Sequence, residues 1–165
     1  MPTESPRLRH NPAYPDPVRL LPHRAPMMLI TGVLEVHEAT LTAFAEIGAA
    51  HALFLNREAK ASSSLLLELM AQTVGCYAGL RENEAHQAPR IGFLLGSRNF
   101  TTSVGELKEG DTVVLTSTCS YMGEDDLPSQ FDCTANLDGV EVARATLTVY
   151  QPRDIRRFAE NLHAA

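Results

Sequence analysis

Ser62-Ser63-Ser64-Leu65-Leu66-Leu67-Glu68-Leu69-Met70-Ala71-Gln72-Thr73-Val74-Gly75-Cys76-Tyr77-Ala78-Gly79-Leu80 is the stretch on which the fold turns. From Leu65 to Leu80 it runs 16 residues, too long for a typical strand. Leu, Met, Ala, Glu and Gln favour a helix. The serines before Leu65 offer an N-cap, with Asn56 as an alternative that would lengthen the helix by about two turns. Eleven of the 16 residues are apolar and occur on all sides, so the helix should be buried over most of its surface. Gly75 and Gly79 share one face, where missing side chains would let another backbone approach closely.

The flanks read as strands. Upstream are Met28 to Val36 and Thr40 to Ile47. In the second, Leu41, Ala43, Ala45 and Ile47 alternate with polar residues, with Phe44 as the exception. Downstream are Arg90 to Thr102, Thr112 to Tyr121, Ser129 to Leu137 and Val140 to Tyr150, the last two joined by the hairpin signal Asp138-Gly139. Arg153 to Leu162 reads as a short terminal helix. The order β-β-α-β-β-β-β with hairpin links implies an α+β fold, an antiparallel sheet packed on or wrapped around one helix. Five of the ten prolines fall in the first 17 residues. A flexible or extended Pro-rich arm is therefore expected over 1–19, ahead of a single domain over 20–165.

Composition narrows the function. The chain has 165 residues, 44% hydrophobic and 21% charged, and a formal net charge of −6. It lacks the basic excess of a nucleic-acid binder. No run is long and apolar enough to span a bilayer, and the first 20 residues have no apolar secretory core. Three widely spaced cysteines argue against a disulfide framework and fit a reducing cytoplasm. No metal-ligand spacing, phosphate loop, dinucleotide fingerprint or Gly-x-Ser-x-Gly elbow occurs, so no metal or cofactor is expected.

Glu68 is the one charged side chain between Leu65 and Leu80. A carboxylate in apolar surroundings is costly unless paired, neutralised or used. Burial would raise its pKa and the helix N-terminus would lower it; the sequence leaves the balance open. Ser64 and Gln72 lie four residues to either side, so all three polar groups could line one cleft. The plainer reading is a glutamate at a cleft rim, reaching water or an arginine. His51 is the nearest upstream histidine to Glu68, whereas His23 sits in a turn-like Leu-Pro-His-Arg-Ala-Pro context. A surface or turn position is the plainer reading of both. Cys76 reads as a core residue.

Four stretches then resemble a known family. Leu21-Pro22-His23-Arg24-Ala25-Pro26-Met27-Met28-Leu29 resembles the start of 3-hydroxyacyl-[acyl-carrier-protein] dehydratases of the hotdog fold. Glu68-Leu69-Met70-Ala71-Gln72 resembles their Glu-x-Met-Ala-Gln signature on the central helix. Ile91-Gly92-Phe93-Leu94-Leu95-Gly96-Ser97-Arg98 and Tyr150-Gln151-Pro152 are more similar to the dehydratase-like proteins of aryl-polyene gene clusters. The likeness runs from about Leu20 to Pro152 and matches the element order.

The resemblance implies a dimer, homomeric or with another hotdog subunit, with sites at the interface. In such sites a histidine takes the C2 proton of a 3-hydroxyacyl thioester, and a Glu or Asp helps the C3 hydroxyl leave as water. Glu68 matches the acidic position. The family's His-Phe-x-Gly-x-Pro is missing: Phe54 stands at the histidine position, and 53–61 holds neither Gly nor Pro. His51 is therefore the provisional base, with Ser64, Gln72 and Phe93 shaping the substrate pocket. Carrier proteins are acidic, so Arg81, Arg90, Arg98, Arg153, Arg156 and Arg157 are the docking candidates. Two other functions are compatible with the fold. One is a thioesterase in which Glu68 activates water; the other is an inactive subunit that binds acyl chains or a synthase partner.

Overall fold

The computed structural model describes residues 6–124 and 126–164. In chain order the elements are α1 (Pro17–Leu20), β1 (Gly32–His37), β2 (Thr40–Glu46), β3 (Lys60–Ser62), α2 (Leu65–Glu84), β4 (Phe93–Thr102), β5 (Glu106–Lys108), β6 (Thr112–Tyr121), β7 (Ser129–Leu137), β8 (Val140–Tyr150) and α3 (Ile155–His163). Six strands form one antiparallel sheet in the order β1-β2-β6-β7-β8-β4. The short β3 and β5 pair separately and had no period-two pattern to announce them. At the β7–β8 hairpin, Asp138 and Gly139 have φ of 49° and 77°, the left-handed pair that a tight two-residue turn requires.

The sheet packs around α2, which touches β2, β6, β7 and β8. Leu65, Leu66, Leu69, Met70, Val74, Cys76, Tyr77 and Leu80 are buried against it. Each fully buried leucine contributes about 1.5–3 kcal/mol, which is why a helix without a polar side is stable here. Burial also pushes the Cys76 thiol up to about 12, so it packs as an apolar group and is not a nucleophile at neutral pH. The helix starts at Leu65, as the serine signal predicts, and continues one turn past Leu80 to Glu84.

The N-terminal segment runs along β1 from His10 to Tyr14; residues 1–5 of the expected arm lie outside the described residues. The Asn11 N–H donates to the Val33 carbonyl, the Val33 N–H donates to His10 Nδ1, and the Val36 N–H donates to the Tyr14 hydroxyl. Arg7 pairs with Glu46 at 2.8 Å. Phe44 breaks the alternation of β2 because it lies on the far side of the sheet, where its ring and His10 both close over Gly32. The arm thus covers the β1 edge. The opposite edge is β4, which pairs with β8 on one side and with no strand among the described residues on the other. Between Leu94 and Asn99 all six residues are exposed, and Leu94 and Leu95 are 41% and 55% accessible.

Candidate active site

One face of α2 lines a cavity of about 370 Å³, which begins near Glu68 and reaches Ala85. That is about 25 Å of helix at 1.5 Å per residue. Ala71, Gly75 and Ala78 lie between these ends, and their small side chains leave the space open. The walls at the far end are Phe93 of β4 and Tyr150 of β8. Phe158 of α3 packs on both rings, with centroids 4.9 Å and 5.5 Å away. The volume falls within the range of about 300–1,000 Å³ usual for small-molecule sites.

Glu68 is half-buried at the head of this cavity. Its Oε1 accepts a 3.0 Å hydrogen bond from Gln72 Nε2, and no partner for Oε2 is found among the described residues. Gln72 is 1% exposed and uses its whole carboxamide within the protein. Its nitrogen also donates to the Met27 carbonyl at 2.8 Å, and its oxygen accepts the Leu29 N–H at 3.0 Å. Gln72 therefore orients the glutamate and clamps residues 27–29 on α2. Replacing it with methionine would keep the volume and strand three polar partners. Each unsatisfied buried group costs about 1–3 kcal/mol. Gln72→Met should lower the urea midpoint by at least the equivalent of one such group, measured by equilibrium unfolding.

The expected companions divide. Phe93 lines the cavity. Ser64 does not: it is exposed, and its hydroxyl donates to Ser62 Oγ at 3.0 Å. His51 is not above the cleft, which corrects the assignment of His51 as base. It ends a 3₁₀ turn over Ala49–His51 and is completely buried. Its Nε2 lies 2.9 Å from the Leu29 carbonyl, and Nδ1 accepts the Gly48 N–H at 3.2 Å. Both nitrogens are occupied by backbone, so no lone pair is left for a substrate proton. Its role is to pin Leu29, whose N–H is on Gln72.

Burial holds the His51 pKa below its usual 6.5, against the opposing pull of the Leu29 and Gly48 contacts. The unfolded chain is then protonated first as pH falls. The stability tied to neutral His51 is complete above the unfolded value and declines as pH drops toward the folded one. Between about pH 7.5 and about pH 5.5 the unfolding midpoint should fall, and the fall should be shallower in His51→Gln.

The histidine in the cavity is His23, a position the sequence presented only as a turn. Its Nδ1 is buried and has no hydrogen-bond partner among the described residues.

The arginines also divide. Arg81 lies at the cavity rim, with its guanidinium on the Tyr77 hydroxyl at 3.0 Å and over the Tyr77 ring. Arg90 also lines the cavity, but its charge is taken up by Glu82, which is buried and bonded to both the side chain (2.6 Å) and the N–H (2.9 Å) of Arg90. Arg98 is exposed on β4. Arg153, Arg156 and Arg157 surround the start of α3. Asp154 caps that helix by accepting the Arg156 and Arg157 N–H groups, and Asp126 accepts the Arg153 N–H.

The family model for ApeP-like proteins, described as ApeP dehydratase, matches residues 15–160. The chain belongs to the ApeP-like family. No curated protein matches it significantly. Among solved structures, the ApeI:P dehydratase heterocomplex of Xenorhabdus doucetiae contains a chain that is 24% identical, with a TM-score of 0.82 over 90% of this chain and 98% of that one. A hypothetical thioesterase of Streptococcus pneumoniae TIGR4 with coenzyme A is 17% identical, with a TM-score of 0.53 over 74% and 87% of the two chains. The protein smu.793 of Streptococcus mutans UA159, bound to acetyl-CoA, is 19% identical, with a TM-score of 0.52 over 74% and 90%. These likenesses establish the hotdog architecture of this ApeP-like chain. No helix among its described residues is long and apolar enough to cross a membrane.

Proposed function

We propose that this ApeP-like chain is the carboxyl-bearing subunit of a 3-hydroxyacyl-[acyl-carrier-protein] dehydratase acting on thioesters of the aryl-polyene type. The observation that carries this reading is Glu68. Its carboxyl is half-buried at the head of an elongated cavity with apolar walls, and one oxygen is oriented by Gln72 while the other is left for a ligand. Hydroxide is a poor leaving group, so elimination across C2–C3 requires a proton at the C3 oxygen as that bond breaks. A carboxyl held over the acyl chain supplies it.

The second hotdog subunit belongs on the bare β4 edge. A sheet-edge strand with exposed Leu94 and Leu95 invites strand addition on its outer side, and Leu94 also lines the cavity, so a partner there would complete its wall. The relative from Xenorhabdus doucetiae belongs to a dehydratase heterocomplex, which favours an unlike subunit over a second copy. The acidic carrier would approach the end of the cavity walled by Phe93 and Tyr150, where Arg81 lies at the rim and α3, which carries Arg156 and Arg157, packs through Phe158 on both rings, with Arg98 on the adjoining strand. Arg90, neutralised by Glu82, contributes structure there rather than free charge. The double variant Arg156→Glu/Arg157→Glu should raise KM severalfold for carrier-bound substrate and leave free-thioester turnover unchanged; equal effects would remove the patch.

The reading is tested by incubating the complex with a 3-hydroxyacyl carrier thioester. Formation of the enoyl thioester supports it. Release of free carrier thiol without an enoyl product would make the protein a thioesterase, and binding without turnover would make it an accessory subunit.

A further inference from the structure

We infer that Arg81 anchors the phosphate of the 4′-phosphopantetheine arm on which the substrate is carried; the inference rests on the reading of the ligand as a carrier-borne thioester and adds what holds its far end. Arg81 lies at the rim of the cavity that begins at Glu68, on the same helix. Its guanidinium does not trail into solvent. Nη1 donates to the Tyr77 hydroxyl at 3.0 Å, and the guanidinium carbon lies 5.7 Å from the centre of the Tyr77 ring. Tyr77 is itself buried and meets Phe131 edge to face. A guanidinium presents its N–H donors in a planar fork. Among the described residues no other side-chain N–H of Arg81 has a hydrogen-bond partner, and no carboxylate pairs with it.

The next arginine along the cavity shows the contrast. Arg90 is matched by buried Glu82, whose Oε1 accepts from the Arg90 side chain at 2.6 Å and whose Oε2 accepts the Arg90 N–H at 2.9 Å. Gln151 holds the other side of Arg90, accepting from Nη2 and donating to the Arg90 carbonyl, each at 3.2 Å. Glu82 follows Arg81 directly in the chain, yet its carboxylate is committed to Arg90. Arg81 is thus left as a cation held in place by an aromatic ring, with open donors at the mouth of a cavity with apolar walls. Such a fork matches the paired oxygens of a phosphate.

The reach agrees with this assignment. From the phosphorus to C3 of a 3-hydroxyacyl phosphopantetheine thioester there are about sixteen bonds. An extended peptide residue covers three bonds and about 3.3–3.6 Å, so this chain spans about 18–19 Å. Arg81 lies about 20 Å beyond Glu68 along α2, at about 1.5 Å per residue. With the 3-hydroxyl against Glu68, the phosphate arrives at the level of Arg81. Ala71, Gly75 and Ala78 line the cavity between the two and leave room for the slender arm.

The test uses the protein purified from its own host, so that any hotdog partner stays bound. Two 3-hydroxyacyl amides are compared by calorimetry, one of 4′-phosphopantetheine and one of pantetheine. Wild type should bind the phosphorylated amide about tenfold or more tightly, the effect of a charge-assisted pair, and added salt should shrink the preference. Arg81→Met keeps an apolar stem over Tyr77 and removes the fork, so the preference should fall to about twofold or less. Arg81→Lys should keep part of it. The preference is a ratio of two affinities, which a general loosening of the fold would not abolish selectively. The carrier and coenzyme A both bear this phosphate, so KM for both thioesters should rise in Arg81→Met, whereas Arg156→Glu/Arg157→Glu should raise it for the carrier alone. Equal affinity of wild type for the two amides, or a preference that survives in Arg81→Met, would overturn the inference. An Arg81-dependent preference in a protein that forms no enoyl thioester would keep the anchor and remove the elimination chemistry instead.

Discussion

Glu68→Gln should lower turnover of a 3-hydroxyacyl thioester by about 10²–10⁴-fold, the usual contribution of a general acid or base. The substitution is nearly isosteric and keeps an acceptor for the Gln72 N–H, so the clamp on residues 27–29 survives. What it removes is the ionisable proton. Glu68→Asp is the companion variant: it keeps the proton but shortens the reach, and it should retain part of the rate. Turnover is read as enoyl absorbance under saturating substrate, with the thermal midpoint checking the fold. If Glu68→Gln is as active as wild type, the cavity is a binding groove rather than a reaction site.

Gly79→Ala carries the largest expected effect on stability. In an exposed helix the change would favour folding by about 1 kcal/mol. Here the new methyl would fall 1.8 Å from the Leu20 carbonyl oxygen and 2.6 Å from its carbon, both backbone atoms. Neither can swing aside, so α1 and the His23 segment must lift off α2. Overpacking of this kind costs about 1–3 kcal/mol or more. For a chain of this size the midpoint should fall by several degrees, since about 1 kcal/mol corresponds to about 2–4 °C. Gly75→Ala is the internal comparison. Its methyl would meet only the end of the Leu21 side chain, at 2.6 Å, which can rotate away. A Gly79→Ala variant as stable as wild type would show that residues 20–29 are not fastened as described.

The sequence made the fold legible wherever local pattern and tertiary packing agree. β6, β7 and β8 carry strong strand residues between clear turns, and their observed limits coincide with those read from the chain. The helix signal was equally strong, and the close approach at Gly75 and Gly79 follows from their spacing. The site was legible only in part. Glu68 stands out because it is charged where its neighbours are apolar, and Gln72 because it lies one turn away. His51 misled, since proximity along the chain says nothing about which side of the core a loop enters. Its nitrogens are used by Leu29 and Gly48, and the Leu29 contact joins residues far apart in sequence. His23 was hidden for the converse reason. It is remote from Glu68 in sequence, and only the packing of residues 20–29 on α2 brings it to the cavity. Arg90 looked like a free cation because its partner, Glu82, lies beyond a loop, past the apparent end of the helix.

The central claim is that an acyl chain lies in the cavity with its 3-hydroxyl against Glu68. The most direct measurement is a crystal structure of the complex with a 3-hydroxyacyl pantetheine amide, which cannot be hydrolysed as the thioester can. The account predicts the 3-hydroxyl about 2.5–3.0 Å from a Glu68 carboxyl oxygen, with the pantetheine arm running along Ala71, Gly75 and Ala78 toward Phe93. An acyl chain bound outside that cavity, or one whose hydroxyl points away from Glu68, would contradict it.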